Sequence, residues 1–183
     1  MKLKQAIHII GEGVTEKYYF KHLKILKDYK YSVSPRFCDS NTCISKIEKK
    51  VKEILEADAV AICVFDADVS QRNDVEKDKL EKFRKRYKDN KNVLICDSLP
   101  SIEFWFLIHF VQRNKRYSSY GELKKELLKY IESYDKTEKF LKNREWVEKL
   151  ISGQYKAVQY ASELELKGGS YSNIYKAIQF LEK

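Results

Sequence analysis

The chain has 183 residues, 43% of them hydrophobic, 34% charged and 13% aromatic, which is enough apolar material for one sizeable core and excludes intrinsic disorder. That length suits one compact domain, or one domain with a helical extension, better than two full domains. With 36 Lys and Arg against 27 Asp and Glu, the formal charge of +9 fits a polyanionic partner such as DNA or RNA, although lysine-rich solubility alone produces the same excess.

The first 17 residues contain an apolar stretch too short for a secretory core or a membrane span, and no later run is long and apolar enough to cross a bilayer. Cys63 and Cys96 fall inside apolar runs and read as core thiols, while Cys38 and Cys43 form a lone pair with no nearby His, a poor basis for zinc. Free thiols and no membrane segment point to a cytoplasmic protein.

Residues 3 to 10 read as a strand, broken by Gly11-Glu12-Gly13 and followed by a helix with Tyr19, Leu23 and Leu26 on one face and Thr15 as a natural N-cap. A weaker strand is expected within 31–39. A helix from Thr42 to Ala57 follows, with Ile44, Ile47, Val51, Ile54 and Leu55 at helical intervals. Ala59 to Phe65 is apolar without alternation, the pattern of a strand covered on both faces by helices, and it ends in Asp66-Ala67-Asp68. A polar helix from Val75 to Tyr87 leads to another buried strand, Asn92 to Cys96, then to a turn at Ser98-Leu99-Pro100-Ser101 and an unusually apolar helix from Ile102 to Val111. From Gly121 onwards no strand is evident. Three or four amphipathic helices are expected there, the last two separated at Gly168-Gly169-Ser170. The pattern predicts an α/β fold, a mostly parallel sheet flanked by helices over 1–113, with a C-terminal helical half over 114–183 packed on it.

In an open parallel sheet, functional groups collect beyond the carboxyl ends of the strands. Glu12, Asp66 and Asp68 all occupy such ends, and residues two apart on extended chain project to the same side, so Asp66 and Asp68 can offer two carboxylates to one ion. Mg²⁺ takes hard oxygen ligands and keeps several waters, so these acids with a substrate phosphate suffice. An Asp-x-Asp pair by itself is a weak signal, more often a helix-capping turn; its position at the end of a wholly apolar strand, with a third acid closing another strand, favours the metal. Glu16 in the first helical turn complements the helix dipole and is a second-tier candidate. Glu103 precedes a run too apolar for an unpaired charge and needs a partner. His109 on the same segment reads as a core histidine, and the six-residue separation puts it on a different helical face from Glu103. Arg72 follows the acidic pair closely enough to meet a phosphate, but also fits a solvated loop. Glu16 stands where a dinucleotide fingerprint has its third glycine, and no Gly-Lys-Ser/Thr phosphate loop, serine elbow or Cys-His grouping occurs.

Three segments taken together, IIGEGVTEKYYF (9–20), VFDAD (64–68) and SLPSIEFWFLIHF (98–110), resemble the RloB-like proteins of bacteria. Tyr134-Asp135-Lys136 and the helix with Ala157, Ala161 and Leu164 look like the C-terminal half of that family. The resemblance implies a Toprim-like catalytic core, in which Glu12 acts as general acid or base and Asp66 and Asp68 hold Mg²⁺ or Mn²⁺. It also implies a role in phage defence or restriction, sometimes beside an ATPase partner. Gly11 replaces the usual Cys of the family, Leu99 replaces Asn, and Ser172-Asn173-Ile174-Tyr175 stands where an Asn-Pro-x-Thr segment is usual.

The expected function is therefore a Mg²⁺-dependent nuclease acting on DNA or RNA. The alternative from another class is a non-catalytic nucleic-acid or nucleotide-binding subunit of a defence complex, and a third is a phosphotransfer enzyme with a small substrate.

Overall fold

A computed structural model describes residues 5–11, 13–29, 33–37, 43–68, 74–113, 115–164 and 169–183, with the backbone alone for 33–37. Strands β1 (Ile7–Gly11), β2 (Val33–Phe37), β3 (Val60–Asp66) and β4 (Val93–Leu99) form a parallel sheet in the order β2-β1-β3-β4. Helices α1 (Val14–Lys27), α2 (Ile44–Glu56) and α3 (Asp74–Tyr87) connect them. The expected α/β architecture is present. β2 lies at one edge, where Pro35, which has no N–H to give, is tolerated in a ladder.

β3 is central, and six of its seven residues are buried, which is why its sequence shows no alternation. Its side chains divide by parity. Val60, Ile62 and Val64 join Ile7, Ile9, α1 and the C-terminal helices on one face. Ala61, Cys63 and Phe65 pack with Ile47, Val51 and Ile54 of α2 and Leu80 and Phe83 of α3 on the other.

Beyond β4 lie α4 (Glu103–Leu107), α5 (Tyr120–Leu127), α6 (Glu138–Leu141), α7 (Glu145–Ile151), α8 (Gln154–Leu164) and α9 (Ile174–Leu181). The core on the α1 face runs without interruption from Ile7 to Leu181, so these helices share one hydrophobic interior with the sheet. At its centre the Trp105 indole N–H donates to the Tyr19 hydroxyl at 2.7 Å, and both rings are fully buried.

Several expectations need correction. The strand expected to stop at Cys96 continues to Leu99: β3 pairs with it as far as Ser98, and a two-residue strand β5 (Tyr171–Ser172) pairs antiparallel on its other side, Ser98 opposite Ser172 and Leu99 opposite Tyr171. A C-terminal half without a strand is therefore wrong; two residues are too few to display alternation. Among the described residues that half has five helices from Tyr120 onwards, because the stretch containing Phe140, Val147 and Leu150 divides into α6 and α7. The helix expected over Ile102–Val111 is regular only over Glu103–Leu107, after which His109 N–H and Phe110 N–H bond three residues back and tighten the end. Thr15 is not the N-cap of α1: Gly13 is, and Thr15 is buried inside the first turn.

The tight end at His109 has a packing cause. Gly153, between α7 and α8, meets the backbone of His109 so closely that a Cβ there would lie 2.1 Å from the His109 carbonyl oxygen. Both sides of that contact are main chain and cannot swing away. Gly153→Ala is accordingly expected to destabilise the protein by about 2 kcal/mol or more, readable as a lower denaturation midpoint with an unchanged slope; an unaltered midpoint would show that the two segments separate freely.

Candidate functional site

Parallel pairing places Gly11, the last residue of β1, opposite Val64 of β3, two residues before Asp66, and places Asp66 opposite Ser98 of β4. The carboxyl ends of the three central strands thus open on one side of the sheet. Asp66 is half-buried there. Its Oδ1 accepts the backbone N–H of Ile102 at 2.9 Å, which ties the end of β3 to the start of α4. Asp68 is half-buried two residues on, and Ala67 between them is buried. Glu12 and Arg72 lie outside the described residues.

Two further acids gather at this end. Glu16, in the first turn of α1, is only 5% exposed. Its carboxylate folds back over Gly13, with Oε2 3.3 Å from where a Cβ on that residue would sit, so a glycine there gives the carboxylate its room. Glu103 is entirely buried and receives three donors: Ser101 Oγ–H to Oε2 at 2.6 Å, Tyr134 O–H to Oε1 at 2.9 Å, and Lys136 Nζ to Oε1 at 3.0 Å. The partner that the sequence required for Glu103 comes from the loop between α5 and α6.

Lys136 is the hub of the cluster. Burial pulls its ammonium toward the neutral form, but the Glu103 carboxylate, the bond to it, and then the charges of Asp66 and Glu16 outweigh that pull and hold its pKa above the ordinary lysine value. Nζ also lies 4.1 Å from the Tyr120 ring centroid. Burial first, then the neighbouring Glu103 carboxylate and the bond donated to it, keep the Tyr134 phenol protonated far above the usual range. Lys136 is thus paired with Glu103 and held in its charged form in the field of Asp66 and Glu16. Sequence reasoning named all three acids but gave Tyr134 and Lys136 no role. The signals were that Glu103 needs a partner and that Tyr134-Asp135-Lys136 is a segment of the family resemblance, and nothing in the residues joined the two.

His109 stands apart. Its Nδ1 bonds the Trp105 carbonyl at 2.7 Å, its ring meets the Trp105 indole edge-on, and burial pushes its pKa down to about 4. It is a neutral core residue facing none of the acids above. Among the described residues no group of three His, Cys, Asp or Glu is assembled around a common point, and no helix is long and apolar enough to cross a membrane.

A family model for RloB-like proteins matches residues 7–181. Nothing matches among the curated proteins or among the solved structures. Since the family match spans nearly the whole chain, the protein belongs to the RloB-like family.

Two expected outcomes test this description. Lys136→Ala leaves the fully buried Glu103 carboxylate without its cation; because the lysine side chain is 38% exposed, the cost should be about 2 kcal/mol, below the range for wholly buried pairs, and Glu103→Gln should recover part of it in a double-mutant cycle. For His109, the folded pKa lies below the unfolded value of about 6.5, so its stabilisation is complete above pH 6.5 and is lost as pH falls toward 4. Unfolding free energy should drop by about 3 kcal/mol more between pH 7 and 4 in the parent protein than in His109→Gln; parallel curves would show that the imidazole is not buried.

Proposed function

Starting from membership of the RloB-like family, we propose that this protein is a Mg²⁺- or Mn²⁺-dependent nuclease that hydrolyses phosphodiester bonds of DNA or RNA on a Toprim-like core, in a bacterial phage-defence or restriction setting. The observation that carries this reading is the gathering of Asp66, Asp68, Glu16 and the Glu103-bound Lys136 at the carboxyl ends of the central strands.

The donor set suits a hard divalent ion. Asp66 and Asp68 offer carboxylate oxygens at the strand end, without the sulfur or imidazole that a softer metal prefers. Asp66, Asp68 and Glu12 would hold such an ion, whose chemistry is to polarise the scissile phosphate and neutralise the charge that develops on it. The chain's own groups do the rest. The Ile102 N–H fixes the rotamer of Asp66 by engaging Oδ1. Lys136, its pKa raised, stays cationic throughout the neutral range; it serves as a fixed positive charge for a phosphate oxygen and not as a proton carrier. Glu103, with three donors on its two oxygens, has no role as a base: it positions Lys136. Glu12 remains for the proton, the role its strand-end position and family resemblance suggest.

The test is incubation of the purified chain with labelled single- and double-stranded DNA and RNA in Mg²⁺ or Mn²⁺. Cleavage of at least one form is expected, falling by more than about 100-fold in Asp66→Ala. Binding without cleavage of any form would overturn the nuclease and leave the non-catalytic binding subunit in its place.

A further inference from the structure

The outer edge of β4 borders a groove that the acid cluster does not use. β5 covers β4 only at Ser98 and Leu99, and the Asn173 N–H adds a bond to the Asp97 carbonyl at 2.7 Å. Among the described residues no strand pairs with Val93 to Cys96 on that side. Beside this open stretch lies a cavity of about 700 Å³ bordered by Tyr87, Lys88, Asp97, Asn173 and Lys176. A second cavity, of about 500 Å³, continues to the carboxyl end of the sheet, where Ala67, Leu99, Lys77 and Arg116 line it with Asp74 and Glu81. Arg84 and Tyr171 line both.

Those two shared residues are held in place. Arg84 pairs with the buried Asp97 carboxylate and donates to the Tyr171 hydroxyl at 3.0 Å, Tyr171 donates to Asp97 Oδ2 at 2.7 Å, and Asn173 Nδ2 donates to Asp97 Oδ1 at 2.9 Å. The result is a stiff partition with a tyrosine on it. Asn173 is 5% exposed, and its Oδ1 is buried without a hydrogen-bond partner on the border of the larger cavity, an acceptor awaiting a donor.

We infer that this groove binds a single strand of nucleic acid and leads it along the β4 edge toward Asp66 and Asp68, so that the substrate is single-stranded rather than duplex. The ligand class rests on the phosphodiester reading above; the choice of single strand rests on the groove. Four cations besides the Asp97-paired Arg84, namely Lys77, Lys88, Arg116 and Lys176, line the two cavities and suit a phosphate chain longer than one nucleotide. Tyr171, half-buried on the partition between the two cavities, offers a ring surface for stacking, and the Asn173 carbonyl can accept an amino or imino hydrogen from a base edge. A duplex keeps its base faces inside the stack and presents only its outer phosphates to such recessed groups. The inner end of the path is Ala67, the residue between the two aspartates.

The test measures binding without cleavage: fluorescence anisotropy of labelled 15-mer single-stranded DNA and RNA and the matching duplexes, on the Asp66→Ala protein in EDTA. A single strand should bind about tenfold more tightly than the duplex. Lys88→Ala with Lys176→Ala should weaken that binding about tenfold and reduce the salt slope by about one, with an unchanged circular dichroism spectrum showing that the fold persists. Tyr171→Leu should weaken the single strand and spare the duplex. Equal affinity for duplex and single strand, or displacement of the strand by a polyglutamate peptide at lower concentration than by an oligonucleotide, overturns the inference, as does indifference to the lysine substitutions. Cleavage that ignores those substitutions removes the groove and leaves the nuclease; groove-dependent binding by a chain that never cleaves does the reverse.

Discussion

A carboxylate with no access to water is the constraint around which this fold is arranged. Glu103 sits at the first position of α4, flanked by Ile102, Phe104, Trp105 and Phe106, all buried. A charge in that setting costs several kcal/mol unless it is paired and its oxygens are occupied. Occupying them takes a hydroxyl two residues back, a phenol 31 residues on and an ammonium from Lys136. The loop between α5 and α6 has to come back over the strand ends to deliver those groups. The apolar positions that hold that loop in place, Leu123, Leu127 and Ile131 among them, belong to the same core as the sheet.

The same constraint links stability to chemistry. The ion pair that makes Glu103 tolerable also places a lysine, fixed in its charged form, within electrostatic reach of Asp66 and Glu16. A surface lysine would be screened and mobile; one anchored between a carboxylate and an aromatic ring keeps its direction. The acids alone would repel one another and any phosphate. With Lys136 among them, the cluster carries less net negative charge and can accept a polyanion together with a cation.

Much of this was legible in the sequence, where a period was long enough to be read. The unbroken apolar run before Asp66 gave the central strand, and helical spacing at Ile47, Val51 and Ile54 gave α2. The demand of Glu103 for a partner was equally legible, because burial of a charge is a local inference. Which residue answers it was not, since Lys136 is brought to Glu103 by the path of a loop, and the resemblance at Tyr134-Asp135-Lys136 does not say what that segment touches. β5 escaped notice for another reason. Two residues specify no pattern, and they are in a strand only because β4 leaves an edge at Ser98 and Leu99 for them to complete. At the N-terminus of α1, Thr15 is a good capping residue by propensity, but it lies buried within the first turn and Gly13 takes the cap position.

The bonds around Asp97 carry a temporal implication. Its carboxylate, 1% exposed, takes Tyr171 and Asn173 as partners, 74 and 76 residues further along the chain. Among the residues before β5, Arg84 pairs with the Asp97 carboxylate, and that carboxylate's remaining partners, Tyr171 and Asn173, come from the end of the chain. Full burial of that carboxylate therefore requires β5 and Asn173, which lie within the last 13 residues of the sequence, to be in place. Such long-range closure slows folding, and it means that the groove wall and the sheet edge depend on the same few bonds.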